Sequence, residues 1–225
     1  MILLLDALHE VTQVDTDVFF HINGAHCTFM DYFMKVYSGK FIWVPMYASF
    51  WYVMIRNFKW RVTLLCLIAL ALTITIADQT GATLIRPWVE RLRPTNLENP
   101  ISSMVHIVDG YRGGRYGFPS CHAANSFGLV FFIWFLFRKQ WLTIFMMGWA
   151  ILTCYSRIYL GVHYPGDILA GALVGLLAAF LVYRLFLWAS GHKRAEKVKH
   201  INAPVLVGGI TILGILIYSL IRTLS

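Results

Sequence analysis

Charge is scarce in this chain. Only 13% of its 225 residues are Asp, Glu, Lys or Arg, against about 25% in an average soluble protein. Hydrophobic residues reach 58% and come in long blocks, which excludes an ordinary soluble globule and points to an integral membrane protein. Cysteine is sparse as well. Cys27, Cys66, Cys121 and Cys154 show neither the paired spacing of a disulfide framework nor that of a zinc site. No His/Asp/Glu cluster has metal-ligand spacing, so neither a metal nor another cofactor is expected. A secretory signal is missing too, because the opening Met1 to Leu5 run lacks a basic start and is soon broken by Asp6, Glu10, Asp15 and Asp17. The formal net charge is +8, but most basic residues sit in short loops or motifs, which argues against a nucleic-acid patch.

Only helices and closed barrels satisfy backbone groups in lipid, and these apolar runs are too long for barrel strands. The expected fold is therefore all-α, one domain over 1–225. Residues 1–39 read as an amphipathic helix lying on the membrane face, with a turn at Asn23-Gly24. Residues 40–225 read as six spanning helices, at roughly 40–56, 62–85, 122–137, 141–158, 167–188 and 204–221, judged against the ~20 residues a bilayer requires. The second is too long: Arg61 to Arg86 would make ~38 Å of helix, so it must tilt, break near Gly81 or rise above the membrane. Arg56, Lys59, Arg61, Arg138, Lys139, Arg184, Lys193, Arg194, Lys197 and Lys199 share one side, ten of the 19 Lys and Arg. Positive residues collect on the cytoplasmic side, so the opposite end faces outward.

That outward end carries three polar clusters. They are Arg86 to Pro94, then Pro119-Ser120-Cys121-His122, then Ser156-Arg157 followed by His163 and Asp167. Measured from Arg138, Trp141 and Arg184, the last two clusters sit ~24 to ~26 Å up their helices, at one depth near the outer interface. Ionisable residues there are functional candidates by default. Arg86, Arg93 and Arg157 supply planar, non-titrating forks for phosphate oxygens, and Ser120 adds a hydroxyl beside a helix N-terminus that favours an anion. Asp167, four residues after His163, can bond one ring nitrogen and leave the other as nucleophile. His122 can then protonate the leaving oxygen and activate water. Ser156 and Cys121 are site neighbours; a nucleophilic Cys121 lacks an evident base. Asp78 shares a helix face with Arg86 and is expected to partner a buried base. The Gly-rich stretch from Asn96 to Phe118 suits a lid or binding element, or a plain solvated loop.

These clusters resemble the three signature motifs of the type 2 phosphatidic acid phosphatase family, which shares its site with vanadium haloperoxidases and bacterial acid phosphatases. The family pattern is K-x6-R-P, P-S-G-H and S-R-x5-H-x3-D. The third motif matches fully as Ser156, Arg157, His163 and Asp167, the second as Pro119, Ser120 and His122, the first as Arg93 and Pro94. Arg86 stands where Lys is usual, and Cys121 where Gly is usual. The resemblance assigns the attack to His163 and implies a membrane lipid phosphatase, with the lipid bilayer as surroundings and a lipid phosphate as substrate.

Among substrates, undecaprenyl diphosphate is expected first and lipid A phosphate second, because an outward site on an inner membrane suits both. Phosphatidylglycerol phosphate and phosphatidic acid follow. A lipid-phosphate transporter or binding protein is the non-catalytic alternative, though binding alone needs no nucleophile.

Overall fold

The computed structural model describes residues 2–191 and 198–225. Its elements are helical: α1 (Ile2–Gly24), α2 (Thr28–Tyr37), α3 (Val44–Asn57), α4 (Trp60–Gln79), α5 (Arg86–Val89), α6 (Cys121–Phe137), α7 (Gln140–Tyr159), α8 (Pro165–Ser190) and α9 (Ala203–Leu224). Among the described residues the only β feature is an isolated bridge between Leu92 and Tyr116.

The surface of this bundle is apolar. Helix α8 exposes Leu169, Leu173, Leu177, Leu181 and Leu185, one residue in four along a single stripe, which water would not tolerate on this scale. Four of the six expected spans have a helix long and apolar enough to cross a membrane: Trp60–Val89, Gln140–Tyr159, Pro165–Ser190 and Ala203–Leu224. The other two expected spans fall on shorter helices, α3 with 14 residues and α6 with 17.

Helix α6 stands at the centre, packed on α4, α7 and α8. Its crossing with α8 is made by glycines. A side chain at Gly171 would strike the Ser120 carbonyl, and one at Gly175 the Ala124 carbonyl. Small residues let helix backbones meet where lipid supplies no hydrophobic drive. Here they press the N-terminus of α6 onto that of α8, and the Ser120 N–H donates to the Asp167 carbonyl at 2.9 Å.

The overlong second span resolves as a π turn. Residues Thr80–Ile85 widen the helix before α5, and the whole rod, Trp60–Val89, is about 45 Å long, so it outreaches a ~30 Å hydrocarbon core. The turn brings Gly81 against the second motif, where an added Cβ would lie 3.3 Å from Cys121 Sγ. At the far end, the Asn57 side chain exchanges hydrogen bonds with the Lys199 backbone, at 2.8 and 2.6 Å. The α3–α4 and α8–α9 connections therefore meet at one end, as expected, although Lys193, Arg194 and Lys197 lie outside the described residues.

Residues 1–39 form two helices rather than one. Helix α1 ends at Gly24 as foreseen, and its Phe19 is fully buried, 5.3 Å from the Tyr164 ring. Helix α2 was not foreseen; it buries Phe33, Met34 and Tyr37 and packs against α7 and α9. Asn23 locks the pair to the bundle, donating to the Tyr159 carbonyl at 2.7 Å and the His106 carbonyl at 3.0 Å.

Candidate active site

The three motifs converge at one end of the bundle because each begins or ends a helix there. Ser120 caps α6, its Oγ accepting the Ala123 N–H at 3.4 Å. Arg157 lies in the last turn of α7. Gly161, with φ +74, turns the chain towards α8 in the left-handed region that glycine tolerates. Asp167 sits in the first turn of α8, its Oδ2 accepting the Tyr164 N–H at 3.0 Å.

His163 and Asp167 are both buried, at 1% and 0% exposure. His163 Nδ1 lies 3.2 Å from Asp167 Oδ2, and Nε2 lies 3.0 Å from Arg93 Nη1. A guanidinium only donates, so Nε2 must accept and the ring proton sits on Nδ1, aimed at the carboxylate. Burial, then the charges of Arg93, Arg157 and Arg86, hold the imidazole well below its ordinary pKa. His163 is therefore a neutral base at pH 7, with its Nε2 lone pair facing the basic pocket.

Arg93 is fixed by two carbonyls, Tyr116 at 3.1 Å and Val162 at 3.0 Å. Burial, followed by repulsion from Arg86 and Arg157, lowers its pKa to about 10, which still leaves it charged. Arg157 donates to Ser38 Oγ and, at 2.9 Å, to the Tyr111 hydroxyl. Burial alone would raise the Tyr111 pKa, but the adjoining Arg157 and then Arg93 outweigh it and lower it. Arg86 donates to the Pro119 carbonyl at 3.1 Å and meets Cys121 Sγ at 3.0 Å. The Nε groups of Arg86 and Arg157 are buried and have no hydrogen-bond partner among the described residues. Orphaned charged donors of this kind cost stability unless an acceptor arrives. Half-buried His122, in the first turn of α6, is close enough to Arg157, His163, Lys40 and Arg93 to feel their charges.

The structure brings Arg86, Arg93, Ser120, Cys121, His122, Arg157, His163 and Asp167 to one place. Ser156 is buried there, but its hydroxyl donates to the Thr153 carbonyl at 2.6 Å along its own helix. Asp78 does not pair with Arg86; it accepts from Asn125 at 3.0 Å instead. The Asn96 to Phe118 stretch is a folded part of the site. Tyr111 reaches Arg157, and a Cβ on Gly117 would lie 2.9 Å from Asp167 Oδ2. Ser38, Tyr111, Gly117 and Arg91 were missed as site residues. Arg91 stood inside the first cluster, and its Nη1 bonds Asp167 Oδ1 at 3.1 Å. Ser38 carried no sequence signal.

Comparison with known proteins bears on the family and the fold. A family model described as PAP2 superfamily matches residues 62–190. A lipid A 4'-phosphatase of Bacteroides thetaiotaomicron is 46% identical over 221 residues, 95% of this chain and 98% of that one. A lipid A 4'-phosphatase of Porphyromonas gingivalis is 34% identical over 81% of this chain and 77% of its own. An undecaprenyl-diphosphatase of Sulfolobus acidocaldarius is 30% identical over 66% of each chain. In fold, the chain resembles the crystal structure of Aquifex aeolicus LpxE, with TM-score 0.55 and 21% identity over 75% of this chain and 94% of that one. It also resembles a transmembrane PAP2 type phosphatidylglycerolphosphate phosphatase from Bacillus subtilis, with TM-score 0.59 and 24% identity over 86% of this chain and 94% of that one. With more than half its length matched by the family model and a relative aligned along nearly all of it, the chain belongs to the PAP2 superfamily and is a membrane hydrolase of lipid phosphate esters.

Proposed function

We propose that this protein removes the 4'-phosphate of lipid A. The observation that carries the reading is the 46% identity to a lipid A 4'-phosphatase over 95% of the chain. That match extends well beyond residues 62–190, the region of the family model, and takes in Ser38, which holds Arg157. The undecaprenyl-diphosphatase match is weaker and covers 66% of the chain. The order of substrates expected from sequence alone is therefore reversed.

In the proposed reaction Arg86, Arg93, Arg157 and the Ser120 hydroxyl bind the phosphate oxygens, and the fixed charge of the three arginines stabilises the transition state as a metal would elsewhere. His163 Nε2 attacks phosphorus and the P–O bond to the sugar breaks. His122 gives its proton to the departing sugar oxygen. A water, deprotonated by His122, then attacks the phosphohistidine and releases inorganic phosphate. Asp167 holds the Nδ1 proton and stabilises the positive ring as the N–P bond forms.

The same reading treats 1–225 as one domain, with α3 and α6 completing six spans and α1 at the interface. The site then opens outward from a bacterial inner membrane. The basic α3–α4, α6–α7 and α8–α9 connections support that orientation. Phosphate release by the purified protein from lipid A, undecaprenyl diphosphate, phosphatidylglycerol phosphate and phosphatidic acid tests the assignment. Lipid A should be turned over fastest, with mass spectrometry placing the loss at the 4' position. A clear preference for any of the other three would refute it.

A further inference from the structure

Asp15 comes from α1, outside residues 62–190, yet its carboxylate is fitted into the back of the site. Its Oδ1 accepts the Gly166 N–H at 2.7 Å, and its Oδ2 pairs with Arg91 Nη1 at 2.7 Å. The same Arg91 nitrogen reaches Asp167 Oδ1 at 3.1 Å, and the other oxygen of Asp167 faces His163 Nδ1. The fit is close. A Cβ on Gly166 would lie 2.8 Å from Asp15 Oδ2, so the carboxylate occupies the space that a side chain at 166 would need. The Arg91 guanidinium is also held over the Tyr164 ring, 3.8 Å from its centroid. The Asp15 side chain is only 12% exposed, so this pair escapes much of the screening that weakens surface ion pairs.

Without Asp15, Arg91 would have Asp167 as its sole ion-pair partner among the described residues and would compete with the imidazole for that carboxylate. With Asp15 in place, Arg91 is pinned from behind and Asp167 keeps Oδ2 for His163. Partners one step removed from a reacting group set its orientation in this way.

We propose that Asp15 is a positioning residue for phosphoryl transfer: it anchors Arg91, Arg91 anchors Asp167, and Asp167 orients His163. The proposal rests on the reading of His163 as nucleophile. Asp15 acts through Arg91 and Asp167, one step behind the phosphate pocket, so its loss should act on kcat and leave KM in place.

The test uses the full-length protein in detergent with p-nitrophenyl phosphate, a substrate independent of the lipid assignment. Asp15→Asn keeps an oxygen for the Gly166 N–H, Asp15→Ser keeps only a shorter hydroxyl, and both lose the charge. Each should lower kcat per folded molecule roughly tenfold, within what misplacing a reacting group costs, with KM unchanged. In an Arg91→Gln background, Asp15→Asn should add little, because both changes break one chain of contacts. An unchanged kcat, an effect on KM alone, or full additivity with Arg91→Gln would overturn the proposal. So would failure of both variants to fold, which would assign Asp15 to the fold alone. His163→Ala is assayed alongside; if it retains turnover, the nucleophile reading fails whatever the Asp15 variants do.

Discussion

Cys121 Sγ lies 3.0 Å from a terminal nitrogen of Arg86, so the two positions at which this chain departs from the family's motif pattern touch each other. The thiol fills space that glycine would leave, and together with the Pro119 carbonyl it fixes the guanidinium. A lysine ammonium is a compact point charge and cannot reproduce that fork.

The first prediction follows from that contact. Arg86→Lys should lower kcat/KM about tenfold, the loss of one charge-assisted phosphate bond at roughly 1.4 kcal/mol. Cys121→Gly should release the guanidinium and raise KM. The double variant should recover activity beyond the sum of the single effects, since residues in contact couple. Steady-state kinetics on the four proteins decides; additivity would contradict it.

Gly117 supports the second. Its missing Cβ would lie 2.9 Å from Asp167 Oδ2, 3.2 Å from Arg93 Cγ and 3.5 Å from His163 Nδ1. Gly117→Ala should push the carboxylate off the imidazole and reduce kcat on the order of 100-fold. The protein should still melt cooperatively in detergent. Near-normal kcat would show that the Asp167–His163 contact tolerates displacement.

The third concerns pH and stability. In the folded chain burial and the three arginines oppose protonation of His163, while the unfolded chain takes up that proton near pH 6.5. The unfolded state binds more protons below that value, so this contribution is full above about pH 6.5 and is lost as pH falls. The melting temperature should drop between pH 7.5 and 5, and drop less in His163→Gln. Equal slopes for the two proteins would show that His163 does not carry the effect.

Much of the site was legible because its motifs are local. Ser120 and His122 open α6, Arg157 closes α7, and His163 with Asp167 spans the turn into α8, so spacing along the chain nearly fixes spacing in space. Asp15, Ser38 and Tyr111 were not legible as site residues. Each reaches the pocket by a long-range contact that no periodicity announces: Asp15 to Gly166, Ser38 to Arg157, Tyr111 to Arg157. Hydrophobic blocks gave the all-α class, and the excess length from Arg61 to Arg86 pointed to the irregularity at Gly81. They could not reveal α2, whose apolar and polar residues alternate around a short helix and produce no long block. Asp78 was misassigned because helical spacing put it beneath Arg86, whereas Asn125 on α6 supplies its partner.

The fourth prediction is topological. A reporter inserted in the α8–α9 connection should read cytoplasmic, and one in the Asn96 to Phe118 segment should read outward. The reverse pattern would place catalysis on the inner leaflet and remove the support for lipid A on the outer one.

The fifth is chemical. In the proposed reaction, positive charge from Arg86, Arg93 and Arg157 takes the place of the divalent ion that many phosphatases use. Turnover should therefore persist in excess chelator and should not rise on adding magnesium. Loss in chelator with recovery in magnesium would contradict a metal-independent pocket.

The most direct measurement is the identity of the phosphorylated residue. His122→Ala should still attack p-nitrophenyl phosphate through His163, because that leaving group departs without a proton, but should hydrolyse the intermediate slowly. Quenching that variant with radiolabelled substrate and mapping its peptides should give an acid-labile, base-stable phosphate on His163. Label on Cys121 or any other residue, or a His163→Ala protein that still releases phosphate, would contradict the account.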